Sequence, residues 1–213
     1  MIIQMSYRIL GQGLPIRLFV AGLHGEEWKD TSDILENIQA PKKGTLAVIP
    51  VVSAGNYVST LDDTYFTSIG QPIIEAVEEL HPCIYIELHS YSAKNLEALT
   101  DPDRLKRAGV PAFSRLEHDV LLGSVGPFIR RKYFLPQALC LTFEIQKDNP
   151  LSKQHAAELI DIVKECRSKV EFVRFMFSRY PEQAKNVIRD YRNFYGLQDD
   201  LEMFMKKEVE KDR

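Results

Sequence analysis

Apolar positions along the chain recur with two different periods. Four short, mostly apolar runs have the form of buried strands: Ile16 to Ala21, Thr45 to Val52, Cys83 to Leu88 and Ala138 to Ile145. Between them, Trp28, Ile34, Leu35 and Ile38 keep a helical spacing, and Pro41 closes that segment. Ile73, Ile74, Val77 and Leu80 do the same ahead of His81-Pro82. The stretch Ser53 to Gly70 is rich in Ser, Thr, Asp, Gly and Asn and reads as a long loop. Strand and helix in alternation predict an α/β fold, with a mixed, mainly parallel sheet flanked by helices on both faces. From Ser152 to Arg179 one long amphipathic pattern predicts a helix, which Pro181 interrupts. A second helical pattern runs from Glu182 to Glu210, with aromatics at Tyr191, Phe194, Tyr195 and Phe204. The expected division is an α/β domain over 1–170 and a helical extension over 171–213. That extension would pack on the domain, on a partner, or on a second copy in a homo-oligomer.

Composition narrows the function classes. A chain of 213 residues is long enough to bury a core without disulfides or a structural metal. A net charge of −3 leaves no basic footprint for nucleic acid. Cys83, Cys140 and Cys166 are odd in number and far apart, as expected of reduced thiols inside a cell. The first residues lack the basic and apolar regions of a signal peptide, and no apolar run approaches the ~20 residues that cross a bilayer. The expectation is a cytoplasmic protein that acts on small molecules or peptides, with neither nucleic acid nor membrane as partner.

Candidate chemistry gathers where strands hand over to loops, the place where open α/β sheets bind ligands. Gly22-Leu23-His24-Gly25-Glu26-Glu27 follows the first strand. His24 and Glu27 are three apart, so one helical turn brings imidazole and carboxylate to the same side. Both are good Zn²⁺ ligands. Period-two alternation places Glu87 and His89 on one face of the third run. His89 would complete a two-histidine, one-glutamate site whose fourth position stays open for water, as in catalytic zinc centres. Glu144, near the end of the fourth run, is the candidate general base. Glu26 and Glu87 are read as orienting or solvated carboxylates. His118 is the main rival for a metal or proton-relay role. His81 is read as structural and His155 as a surface residue. Tyr91 and Tyr133 are candidate oxyanion donors.

At these residues the chain resembles a known group. His24-Gly25-Glu26-Glu27 is similar to the HxxE zinc motif of zinc carboxypeptidases and of the succinylglutamate desuccinylase/aspartoacylase family. Leu88-His89-Ser90 resembles that family's third-ligand motif, and Thr142-Phe143-Glu144 its catalytic-glutamate motif. The order matches, over roughly residues 16–146. The resemblance implies a zinc hydrolase fold, Glu144 as base, and attack on an amide or N-acyl bond. One departure matters. The family's Asn-Arg pair, which grips the substrate, has no counterpart in Leu61-Asp62-Asp63-Thr64-Tyr65-Phe66, and no arginine lies between Arg17 and Arg104. A later basic residue would have to hold a substrate carboxylate, and Arg130, Arg131 and Tyr133 are the candidate substrate-binding residues. The reading is therefore a zinc-dependent amidohydrolase. Its alternative is an inactive relative that keeps the fold as a metal-binding or assembly module.

Overall fold

The four apolar runs become the parallel centre of a seven-stranded sheet. The structure is a computed structural model, and it describes residues 7–62 and 64–196. The strands are β1 (Arg8–Gln12), β2 (Ile16–Ala21), β3 (Gly44–Ile49), β4 (Ile84–Tyr91), β5 (Ser114–Arg115), β6 (Leu121–Ser124) and β7 (Leu139–Gln146). Their order across the sheet is β1-β3-β2-β4-β7-β6-β5. The central β3-β2-β4-β7 strands run parallel, and antiparallel strands finish both edges. The mixed, mainly parallel α/β architecture expected from the alternation is present.

Helices cover both faces, because the central strands are apolar on both. On one side lie α1 (Trp28–Glu36), α6 (Pro150–Glu165), α7 (Lys169–Arg179) and α8 (Pro181–Tyr195). Leu35, Leu159, Ile160 and Val163 pack there on Phe19, Ile86, Leu141 and Phe143. On the other side lie α2 (Gln71–Leu80) and α5 (Pro127–Tyr133), where Ile73, Ile74, Val77 and Ile129 meet Leu18, Val20, Tyr85 and Cys140. Two short helices, α3 (Leu96–Thr100) and α4 (Arg104–Ala108), fill the long connection after β4.

The single helix expected over Ser152–Arg179 is two. Ser168 caps α7 by accepting from the Glu171 backbone N–H at 3.4 Å, and a Glu171 oxygen accepts from the Arg167 N–H at 2.8 Å. This pair of bonds starts a new helix inside an amphipathic pattern that runs on unbroken. The helical C-terminal part is not detached from the sheet. Phe172, Met176, Tyr180 and Ala184 belong to the same buried cluster as α6 and the central strands. Residues 197–213, which carry Phe204 and the end of the expected last helix, lie outside the described residues, as does Asp63. No described helix is long and apolar enough to cross a membrane.

The chain leaves β2 for β3 on one side and later places β4 on the other. That reversal opens a crevice beyond the carboxyl ends of β2 and β4.

Candidate metal centre

Local backbone chemistry builds the first half of the site. Gly22 turns the chain out of β2 with φ +55°, and a Cβ there would stand 2.8 Å from the Trp28 Cβ. Only glycine combines that conformation with so close a helix. Thr31 ties the turn down: its hydroxyl accepts from Gly22 N–H at 3.1 Å and donates to the Glu27 carbonyl at 2.8 Å. The Tyr65 hydroxyl donates to the Leu23 carbonyl at 2.7 Å, and Gly25 exchanges backbone bonds with the 55–56 turn. His24 and Glu27 thus leave a braced loop at the start of α1.

The second half comes from the pleat. Tyr85, Glu87 and His89 alternate onto one face of β4, beside Thr142 and Glu144 of β7. The register pairs Glu87 with Thr142 and His89 with Glu144. On this face the apolar layer gives way to polar groups near the carboxyl end of the sheet.

The structure brings His24, Glu27 and His89 together, with one donor atom from each lying within 4.8 Å of the others. His89 Nδ1 stands 3.1 Å from one Glu27 oxygen, and His24 Nδ1 is 3.6 Å from the other. His24 Nδ1 is buried and has no hydrogen-bond partner. A ring nitrogen taken out of water without a partner is costly unless something else meets it. Glu87 lies behind His89. Its carboxylate accepts from the Tyr85 hydroxyl at 2.9 Å, approaches His89 Nε2 at 3.3 Å, and accepts from the Thr142 hydroxyl at 3.3 Å. Holding Nε2–H turns the Nδ1 lone pair towards His24 and Glu27. Two imidazoles, one of them with an orphaned nitrogen, and a carboxylate form a donor set that fits a divalent metal ion.

The two imidazoles respond differently to their surroundings. Burial, assisted by the neighbouring His89, pulls the His24 imidazole down to about 4. Burial also disfavours charge on His89, but Glu27 and Glu87 outweigh it and raise His89 well above its ordinary value. Burial lifts Glu144 to about 7, against a lowering pull from His89. A carboxyl group poised there can both take up and release a proton near neutrality.

These residues line a cleft of about 350 Å³ that also receives Tyr57, Tyr91, Asn95, Arg104, Phe113 and Lys147. Arg104 is the residue that sequence reasoning passed over. Its Nη1 donates to the Pro111 carbonyl at 2.6 Å and its guanidinium lies 4.8 Å from the Phe113 ring centre. Its position as the first arginine after Arg17 was the available signal. Arg130, Arg131 and Tyr133 do not line the cleft. Arg130 is buried, with its donors satisfied by the Tyr191 hydroxyl and the Phe134 and Pro136 carbonyls. Arg131 donates to the Phe194 carbonyl, and with Tyr133 it borders a separate hollow near His81 and Cys83. Arg130 is therefore committed to packing, and Arg131 lies away from the cleft lining. Tyr91 lines the cleft, but its hydroxyl donates to the Asp119 carbonyl at 2.7 Å. Glu26 is exposed and pairs with Lys29. Asp62 binds the Thr64 backbone and hydroxyl, closing its own turn. His155, expected at the surface, is buried against Tyr180.

Among solved structures, the chain is similar to an aspartoacylase family protein from Mesorhizobium loti. The two share 15% identity with a TM-score of 0.43, over 76% of this chain and 62% of that one. It is also similar to tripeptide-bound Csd4, a cell shape determinant protein from Helicobacter pylori, at 14% identity and a TM-score of 0.41, over 86% of this chain and 60% of that one. The chain thus spans less than two thirds of either structure. Uncharacterized protein MJ0501 of Methanocaldococcus jannaschii is 31% identical over 187 residues, covering 84% of this chain and 90% of that protein. Residues 12–196, nearly all of the sheet and its helices, match the family described as "uncharacterized protein conserved in archaea (DUF2119)", and the chain belongs to that family.

Proposed function

We propose that this protein is a zinc-dependent hydrolase of the cytoplasm that cleaves an amide bond in a small peptide or N-acylated amine. The observation that carries the reading is the convergence of His24, Glu27 and His89 around a partnerless His24 Nδ1, with Glu144 one strand away on the same face. His24, Glu27 and His89 would hold the zinc ion, which supplies Lewis-acid polarisation of the scissile carbonyl and acidification of water. Glu144 accepts the proton of the attacking water on its carboxylate and passes it to the leaving amine nitrogen. Its buried place opposite His89 keeps the carboxylate within reach of that transfer. Arg104 and Lys147 are the lysine and arginine side chains that line the cleft, so a substrate carboxylate would be drawn to them.

Purified protein should carry stoichiometric zinc and hydrolyse some member of a panel of dipeptides and N-acyl amino acids. Glu144→Gln should keep the metal and lose turnover by about 10²–10⁴-fold, the usual weight of a general base. Full activity in Glu144→Gln, or hydrolysis that survives His89→Ala, would overturn the assignment. Bound zinc with no turnover of any amide or ester would transfer the reading to the binding-module alternative.

A further inference from the structure

A second His-x-x-Glu sequence lies outside the cleft. Helix α6 carries His155-Ala156-Ala157-Glu158, with the spacing of His24 and Glu27. His155 Nδ1 stands 3.7 Å from a Glu158 oxygen, against 3.6 Å for His24 and Glu27. A second imidazole faces it: the His118 ring centre is 5.6 Å from that of His155, against 5.1 Å between His24 and His89. His118 reaches this place from a left-handed backbone (φ 55°, ψ 30°), a conformation uncommon for a non-glycine residue.

The other nitrogen of His155 is already spoken for. Nε2 lies 2.8 Å from the hydroxyl of Tyr180, which is buried. In the tautomer whose Nε2–H donates to the Tyr180 oxygen, Nδ1 keeps its lone pair on the Glu158 side. Tyr180 then does for His155 what Glu87 does for His89. An ordinary i,i+3 pair along the helix accounts for the Nδ1–Glu158 approach, and packing for the bond to Tyr180, so the facing His118 is what sets this cluster apart. These groups line a cavity of about 260 Å³ that shares no lining residue with the cleft. The nearby Arg179 is paired with Glu117, so that pair adds no net charge. The Glu158 carboxylate remains as the local excess.

We propose that His118, His155 and Glu158 form a second, weaker binding site for a divalent ion of the zinc class. Two imidazoles and a carboxylate select such an ion over calcium or magnesium, which prefer all-oxygen sets. The site is the weaker one because its donors are not gathered within 4.8 Å in common, as those of the first cluster are. His118 and Glu158 are exposed and must be ordered when the ion binds, which loses side-chain freedom.

The test is zinc stoichiometry on the full chain, stripped by chelator and dialysed against a series of buffered free-zinc concentrations. Metal is counted per chain by mass spectrometry. Wild type should take up one equivalent at low free zinc and a second at higher concentration. His118→Ala and Glu158→Gln, both surface changes, should each abolish the second equivalent and leave the first. Tyr180→Phe should weaken the second by about 10–100-fold, the usual effect of removing an orienting partner. His24→Ala should remove the first and leave the second, so the two assignments fail separately. Saturation of wild type at one equivalent lost with His24 would overturn the proposal. So would a second equivalent indifferent to both His118→Ala and Glu158→Gln.

Discussion

Glu87 has the least freedom of any carboxylate in the cleft. It is 1% exposed and its oxygens meet Tyr85, His89 and Thr142. Its place behind His89 makes it the group that sets which ring nitrogen faces His24 and Glu27. Glu87→Gln keeps the shape and weakens the acceptor. The expected outcome is a loss of zinc affinity of about 10–100-fold, read by chelator competition. Unchanged affinity would mean that the β4 backbone alone aims the ring. Much of this was legible in the sequence, because His24, Glu27, His89 and Glu144 all lie near the end of an apolar run. There the pleat fixes the side of His89 and Glu144, and the i,i+3 spacing aligns His24 with Glu27. Arg104 was not legible in the same way. Its place over the cleft depends on how residues 93–113 fold back after β4, and no local pattern records that. Arg130 and Arg131 drew notice for being close to Glu144 in sequence, but α5 turns their polar ends to three carbonyl groups and the Tyr191 hydroxyl.

Among the elements, the passage from β2 to α1 is the tightest. Gly22→Ala would place a Cβ 2.8 Å from that of Trp28 while keeping φ +55°. The left-handed conformation alone costs about 1–2 kcal/mol for a residue with a side chain, and the clash adds to it. Denaturant unfolding should show at least that loss, with zinc binding weakened in parallel because the same turn carries His24 and Glu27. A neutral Gly22→Ala would mean that the loop can relax without moving the cluster. The central strands and the helices α1 and α2 were readable from periodicity. The edge strands were not: β1 is mostly exposed along its length, and β6 buries only Leu121 and Leu122. Such short edges take their conformation from a neighbouring strand, not from their own pattern. The α6–α7 break escaped notice because the apolar stripe continues through it, while the stop is made by the Ser168 and Glu171 caps.

For the molecule as a whole, the question is whether the C-terminal helices form a separate layer or part of one core. Phe172 is 3% exposed and sits in the cluster that contains Phe143, Leu159 and Ile160. If α7 and the sheet unfold together, Phe172→Ala should lower global stability by about 3–5 kcal/mol. Thermal or denaturant unfolding would then remain one transition by fluorescence and by circular dichroism. Two separated transitions, with only the first moved, would instead identify an independent helical unit.

The pairing of β4 with β7 has one more consequence. His89 and Glu144 are opposite partners in adjacent parallel strands, so the gap between the proposed metal ligand and the proposed base is set by the inter-strand spacing of about 4.8 Å. A slip of one residue would send Glu144 through to the opposite side of the sheet. The ladder therefore works as a ruler with no intermediate divisions. Loops carrying Tyr57, Asn95 or Arg104 can drift and reshape the cleft, while the spacing that the proposed reaction would use is held by the backbone.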